Sequence, residues 1–327
     1  MSNYNWGILA TGKIAATFAK AINFTEGATL YAAASRTVDK AKAFAEQYGA
    51  QKYYGSYDEL AQDKNVDVIY IASPMAQHYE NAKMCLLAGK NVLCEKTITL
   101  NSAQLAELTA IAKEKNVFFM EAMWMKLLPA FRKAKEWADS GRIGEVRAIK
   151  ADFSNLCPYD ENDRLFKSEL GGGCLLDLGV YPITLACEFF SYEPKEIISD
   201  AFIGKSGVDF DASIVLRYQN GYADICAGFD MENNNPAYII GSKGRIRFGN
   251  WFFCTGQVML YDDDGNMLEE FNQPHPCNGY EFEVMHVMDC LDRGLKESDI
   301  NPLSHTAATQ KIMDKCRKDW GLVFEGE

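Results

Sequence analysis

Short apolar runs alternate with segments of helical periodicity through the amino-terminal third of the chain, and this alternation constrains the fold more than any other feature. Trp6–Ala10 reads as a buried strand, and Lys13–Ile22 as a helix with Ile14, Phe18 and Ile22 at helical spacing. Thr29–Ala34 and Val38–Tyr48 repeat the pair. Lys52–Tyr54 is a weak third strand and Val66–Ala72 a strong fourth, ending at Pro74. His78–Ala88 is expected to be helical and to stop at Gly89, before a fifth strand over Asn91–Cys94. Ser102–Lys115 carries Leu105, Leu108 and Ala112 on one helical face, and Val117–Met120 is the sixth strand. Strands separated by helices pair through crossovers rather than hairpins. The pattern therefore predicts an α/β fold with a doubly wound parallel sheet.

The pattern changes after Glu121. Pro129–Asp139 reads as a helix closed by Ser140-Gly141, and beyond Glu145 the strands lengthen and alternate in polarity. Ala212–Gln219 and Tyr222–Phe229 flank Asn220-Gly221, a strong hairpin signal, and Val258–Asp262 and Met267–Phe271 flank Asp264-Gly265 in the same way. Helices are expected near 174–190, 280–294 and 304–318. The expected division is a first domain over residues 1–122 and an α+β domain over 123–327 with an open, mostly antiparallel sheet.

With 327 residues, 48% of them hydrophobic, the chain can build a large core without disulfides. Its net charge of −12 argues against general binding to nucleic acid or an anionic membrane. The ten cysteines form no C-x-x-C, and several lie in apolar runs, which suits free thiols in a reducing compartment. The start of the chain shows no signal-peptide pattern, and no apolar stretch reads as long enough to span a bilayer. A soluble, cytoplasmic protein is expected. His275, His286 and His305 show no metal-ligand spacing with cysteine or acid, so no metal is expected.

Three segments carry candidate chemistry in the first domain. Gly7 to Ala15 joins a strand to a helix, with Gly12 at the middle of a dinucleotide-type turn and alanine at the first and third glycine positions. In such a turn the backbone approaches a pyrophosphate, and the helix amino end supplies N–H groups and a favourable dipole. The second strand ends at Ser35-Arg36. An acidic residue there would hold a ribose 2′-hydroxyl; a hydroxyl and a guanidinium suit a 2′-phosphate instead, favouring NADP over NAD. Glu95-Lys96-Thr97 follows the fifth strand, at the sheet end where open α/β folds bind ligands. Far downstream lies Gly171-Gly172-Gly173, then Asp177 and Tyr181 four residues apart, on one face if the segment is helical. The triple glycine suggests close backbone approach, to substrate or to the other domain. Each candidate has a bland alternative: an exposed lysine after a strand, a core tyrosine among Leu178, Val180 and Pro182, and an aspartate that caps a helix.

The opening turn, Pro74 with His78, Gly89-Lys90 leading to Glu95-Lys96, and Gly171–Tyr181 together resemble the glucose–fructose oxidoreductase / inositol dehydrogenase / MocA family over nearly the whole chain. Met120-Glu121-Ala122-Met123-Trp124 with Pro129 is similar to its dihydrodiol dehydrogenase and NADP-dependent D-xylose dehydrogenase branch. The resemblance implies an N-terminal Rossmann domain and a C-terminal domain whose open antiparallel sheet mediates homo-oligomer formation. It also implies NADP, with NAD possible, and oxidation or reduction of a sugar-like or cyclic diol carbon. The cofactor-binding residues it implies are Ala10, Thr11, Gly12, Lys13, Ile14, Ser35, Arg36, Ala72, Ser73, Pro74, His78, Glu95, Lys96 and Trp124. Tyr181 is implied as proton donor and acceptor, Lys96 as its electrostatic partner and Asp177 as an orienter. Thr97 replaces the proline of the family's Glu-Lys-Pro motif, and Lys126 stands where this branch commonly carries arginine. Two other readings stay open: a non-catalytic dinucleotide-binding regulator, and a sugar–sugar oxidoreductase that holds its cofactor tightly.

Overall fold

A computed structural model of the chain describes residues 2–324 and residue 327. The chain divides into two compact units. Met1–Trp124 with Pro276–Ala307 form the first, and Met125–His275 with Ala308–Glu327 the second.

The first unit begins as the alternation demands. Its elements are β1 (Tyr4–Leu9), α1 (Lys13–Phe24), β2 (Ala28–Ala34), α2 (Val38–Tyr48), β3 (Lys52–Tyr54), α3 (Tyr57–Gln62), β4 (Val68–Ile71), α4 (His78–Leu87), β5 (Asn91–Glu95), α5 (Ser102–Lys115) and β6 (Phe119–Ala122). The six strands pair in parallel in the order β3-β2-β1-β4-β5-β6. That order reverses between β1 and β4, the topological switch point where such sheets receive ligands. All four residues of β4 are buried, as strands covered by helices on both faces require. Helix α3 is an addition to the sequence reading. Its Ser56 cap accepts from Glu59 N, but six residues are too few for a periodic signal.

The second unit contains α6 (Pro129–Asp139), β7 (Val146–Ser154), α7 (Val180–Phe189), β8 (Glu196–Ile203), β9 (Asp209–Arg217), β10 (Tyr222–Gly228), β11 (Ala237–Gly241), β12 (Gly244–Phe248), β13 (Gln257–Asp262) and β14 (Met267–Asn272). The eight strands run β14-β13-β12-β11-β7-β10-β9-β8. Only the β7–β10 pair is parallel. Both expected hairpins are present, β9 with β10 and β13 with β14. Helix α8 (Glu281–Asp292) belongs to the first unit, and α9 (Leu303–Trp320) runs from the first unit into the second.

One expectation needs correction. The helical stretch Ser168–Phe189 is long and apolar enough to cross a bilayer by length and composition, whereas the sequence reading found no such stretch. It is 94% buried within the protein, as a core helix is. It contains α7 and, before it, a π-helical turn over Leu175–Gly179.

The triple glycine is explained inside the second unit. A β-carbon on Gly172 would stand 2.6 Å from the Leu165 carbonyl oxygen. At Gly173, φ is +117°, and a β-carbon would stand 2.1 Å from Asp209 Oδ1. Asp209 is buried at the start of β9 and accepts from Leu175 N at 2.6 Å and Cys174 Sγ at 3.3 Å. Burial pushes its carboxyl up to about 6 although both donors oppose that shift. A carboxylate from a distant strand thus holds the amino end of the Asp177–Tyr181 helix, and only glycine leaves room for it. Gly173→Ala is expected to cost about 3 kcal/mol or more, from overlap and left-handed strain together. Urea unfolding measures this, and a loss below about 1 kcal/mol would contradict the packing argument.

Candidate active site

Every candidate in the first unit lies at or just beyond the carboxyl end of a strand of the parallel sheet, because parallel pairing brings all those ends to one edge. Ala10 to Ile14 follow β1, and Ser35 and Arg36 follow β2. Ala72, Ser73, Pro74 and His78 follow β4, Glu95 and Lys96 close β5, and Trp124 follows β6.

The glycine turn has an open amino end. Ala10 takes a φ of 74°, and Gly12 caps α1 with no side-chain hydrogen bond. A β-carbon on Gly12 would have no atom within 4 Å, so the first turn of a 12-residue helix faces open space. Thr11 Oγ1 donates to Ser35 Oγ at 3.3 Å, tying this turn to the end of β2, and the Arg36 side chain is exposed beside it. Unfilled space over helix N–H groups, with a hydroxyl pair and a guanidinium alongside, fits the pyrophosphate and ribose of a nicotinamide dinucleotide.

The Lys96 turn is held from several sides. Tyr70 O–H donates to Glu95, and Tyr70 is itself stacked on Phe18 at 3.7 Å. The second Glu95 oxygen accepts from Lys96 N at 3.3 Å, and Glu121 Oε1 accepts from Ile98 N at 3.1 Å. The Lys96–Thr97 peptide is cis, at the position where the family motif has proline. His78 lies below this turn, buried, with Nδ1 2.8 Å from the Thr97 carbonyl oxygen and Nε2 2.8 Å from that of Ser73. His78 therefore joins the loop after β4 to the Lys96 turn. Trp124 is buried and stacks on Tyr280 at 4.3 Å.

Asp177 and Tyr181 come together on the helical segment of the second unit, Asp177 in the π-helical turn and Tyr181 in the first turn of α7. Asp177 is not the cap of that segment, a place that Cys174 takes. Its carboxylate accepts from both terminal nitrogens of Arg164, at 3.3 to 3.4 Å. Tyr181 is buried, tilted against Phe153 at 5.4 Å and Phe253 at 5.3 Å. No spacing signal joins Arg164 to Asp177. The link exists because the loop before the glycines folds back on the helix.

Two further placements add to the sequence reading. Lys126 is 0% exposed, with Nζ 2.5 Å from Glu188 Oε1 and 3.2 Å from the Tyr192 hydroxyl. It is part of a buried ion pair. The fold also gathers His286 Nε2, Cys290 Sγ and an Asp299 carboxylate oxygen within 4.8 Å, a grouping that the sequence reading did not find. The existing contacts account for it. Ser298 Oγ accepts from Ile300 N and Asn301 N, leaving its proton for His286 at 2.6 Å, and Arg293 takes the Asp299 carboxylate at 2.7 Å.

A parallel sheet with an open glycine turn at its switch point, followed in one chain by a mostly antiparallel sheet, defines a nicotinamide-dependent oxidoreductase. Comparison with known proteins agrees. Residues 4–123 match an oxidoreductase family with an NAD-binding Rossmann fold, and residues 131–247 match the GFO/IDH/MocA C-terminal domain. Trans-1,2-dihydrobenzene-1,2-diol dehydrogenase of Xenopus laevis is 35% identical over 331 residues, covering 98% of each chain. The Homo sapiens enzyme of the same name is 31% identical, covering 98% of this chain and 97% of its own. A 3-ketoreductase from Actinomadura kijaniata, solved with NADP and TDP-benzene, superposes with a TM-score of 0.87 at 26% identity, covering 97% of this chain and 98% of its own. The chain belongs to the Gfo/Idh/MocA family of oxidoreductases.

The buried ion pair yields a stability test. Lys126→Met leaves the Glu188 carboxylate without its cation and is expected to cost about 3–5 kcal/mol in urea unfolding. Adding Glu188→Leu should recover most of that loss. Equal instability of the single and double variants would refute the pairing argument.

Proposed function

We propose that the protein transfers hydride between NADP(H) and a secondary alcohol or hemiacetal carbon of a sugar or cyclic diol. The observation that carries this reading is the Lys96 turn, held by Tyr70, Glu121 and His78 at the same sheet edge as the open Gly12 cradle. The relatives named for a trans-dihydrodiol and the 3-ketoreductase solved with NADP support the substrate class and the cofactor.

In this reading Gly12, Thr11, Lys13 and Ile14 hold the pyrophosphate through backbone N–H groups, and Ala10 shapes the turn. Ser35 and Arg36 take the 2′-phosphate. Ala72, Ser73, Pro74, His78, Glu95 and Trp124 shape the remainder of the cofactor site. The nicotinamide, when bound, supplies or accepts the hydride. Tyr181 takes the hydroxyl proton when an alcohol is oxidised and returns it to the carbonyl oxygen in reduction. A free phenol has a pKa near 10, so it needs an ammonium partner to act as a base at neutral pH, the role we assign to Lys96. Asp177, fixed by Arg164, orients a substrate hydroxyl.

We also place the protein in the cytoplasm, a reading supported by its ten free cysteines. A second copy is expected on the open sheet of the second unit, where Ile198 and Phe202 are exposed on edge strand β8.

Lys96→Met and Tyr181→Phe are each expected to lower kcat about 10²-fold or more on a panel of aldoses and cyclic trans-diols, with NADP affinity retained. Full turnover in both variants would remove the mechanism. Arg36→Ala should shift the NADP/NAD preference in kcat/KM by about tenfold towards NAD, roughly the 1.4 kcal/mol expected for a lost charge-assisted contact. An unchanged ratio would refute the 2′-phosphate assignment.

A further inference from the structure

One buried acid of the first unit has no part in that reaction. Segment 276–307 returns to this unit and brings α8, whose first turn carries Glu281 and Glu283. Glu281 closes the turn that leads into the helix, where its carboxylate accepts the backbone N–H groups of Cys277, Asn278 and Gly279 at 3.0, 3.0 and 2.6 Å. Glu283 makes no such contacts. It is 0% exposed, and neither carboxyl oxygen has a hydrogen-bond partner among the described residues. The ionisable groups facing it are Glu95 from the end of β5, Glu121 from β6 and Tyr70 from β4.

Glu95 and Glu121 both act on the buried Glu283, and burial disfavours a third negative charge beside those two. The hydrogen bonds decide where a proton goes. Glu95 accepts from Tyr70 O–H and Lys96 N, and Glu121 accepts from Ile98 N, so both are stabilised as carboxylates. Glu283 has no donor to stabilise a negative charge. We propose that Glu283 is a positioning residue for Lys96: it supplies the proton-bearing carboxyl of a three-acid cluster, so that Glu95 and Glu121 keep their acceptor oxygens for the backbone of the Lys96 turn.

Burial, and then the charges of Glu95 and Glu121, hold the Glu283 carboxyl well above the usual carboxylate range, consistent with that division. Loss of its proton would add a third negative charge beneath the turn, repel the two acceptors and loosen Lys96. Glu121 is also fixed from the other side, through its backbone carbonyl, which accepts from Asn301 Nδ2 at 3.0 Å. Repulsion would therefore act on the Lys96 turn rather than on the end of β6. The assignment rests on the proposed role of Lys96 for its catalytic meaning, but its test does not need turnover.

Glu283→Gln keeps the shape and fixes the neutral state. Two measurements compare it with wild type between pH 5 and 10. The first is thermal unfolding. The folded state holds the proton more tightly than the unfolded chain, so wild-type stability relative to Glu283→Gln should fall as pH rises above the ordinary glutamate value of about 4.5. The second is labelling of Lys96 by acetic anhydride, read by peptide mass spectrometry. Wild type and variant should agree near neutral pH, and wild-type labelling should exceed that of the variant by about threefold or more on the alkaline side as the turn loosens. A Tm difference that does not vary with pH would overturn the proton assignment, and superimposed labelling curves would overturn the positioning role. Lys96→Met with full activity would sink the proposed reaction while leaving both of these results standing.

Discussion

Parallel pairing is the constraint on which the rest depends. Two parallel neighbours need a crossover between them, and with all pairs parallel the strands β1, β2, β4, β5 and β6 end on the same edge. The glycine turn, the Ser35-Arg36 pair, the loop from Ala72 to His78, the Lys96 turn and Trp124 come from five different stretches of chain. They meet because the sheet has no other place to put them. Reversal of strand order between β1 and β4 then opens the crevice there.

That constraint brings residues near one another but does not fix their side chains. Fixing falls to buried polar groups that must find partners in a medium that stabilises charge poorly. Tyr70 is the clearest case: its ring stacks on Phe18 in the core, and its hydroxyl donates to Glu95 at the end of the next strand. His78 does the same between two backbone carbonyls. In the second unit Asp209 and the Lys126–Glu188 pair are of the same type. Each couples an element read easily from sequence to one that has no sequence relation to it.

The division between what was legible and what was not follows from this. The helices Val38–Tyr48, Ser102–Lys115 and Pro129–Asp139 have the limits that periodicity, caps and a leading proline predict. The strands of the parallel sheet were readable because burial on both faces leaves continuous apolar runs. Strands β11 and β12 were not read separately, although they pair as an antiparallel hairpin whose turn runs from Gly241 to Gly244. Lys96, Asp177 and Tyr181 stood out as candidates through an ordered set of motifs. Arg164, Glu121, Glu188 and Glu283 did not, since their meaning lies wholly in distant partners: nothing near residue 283 says that an acid there faces the end of β5. The return of 276–307 to the first unit is equally silent in the local pattern.

The glycine-rich segment shows how one motif can serve two ends. Read locally, three consecutive glycines suggest a loop that bends around a ligand. In the fold, Gly172 and Gly173 are small because Leu165 O and Asp209 Oδ1 occupy the space that a side chain would fill. The occupant Asp209 holds Leu175 N, the first amide of the helical turn that presents Asp177, with Tyr181 one turn further on. A substitution at Gly173 therefore acts on the helix beyond it: it displaces the carboxylate that holds the amino end of the segment carrying Asp177 and Tyr181.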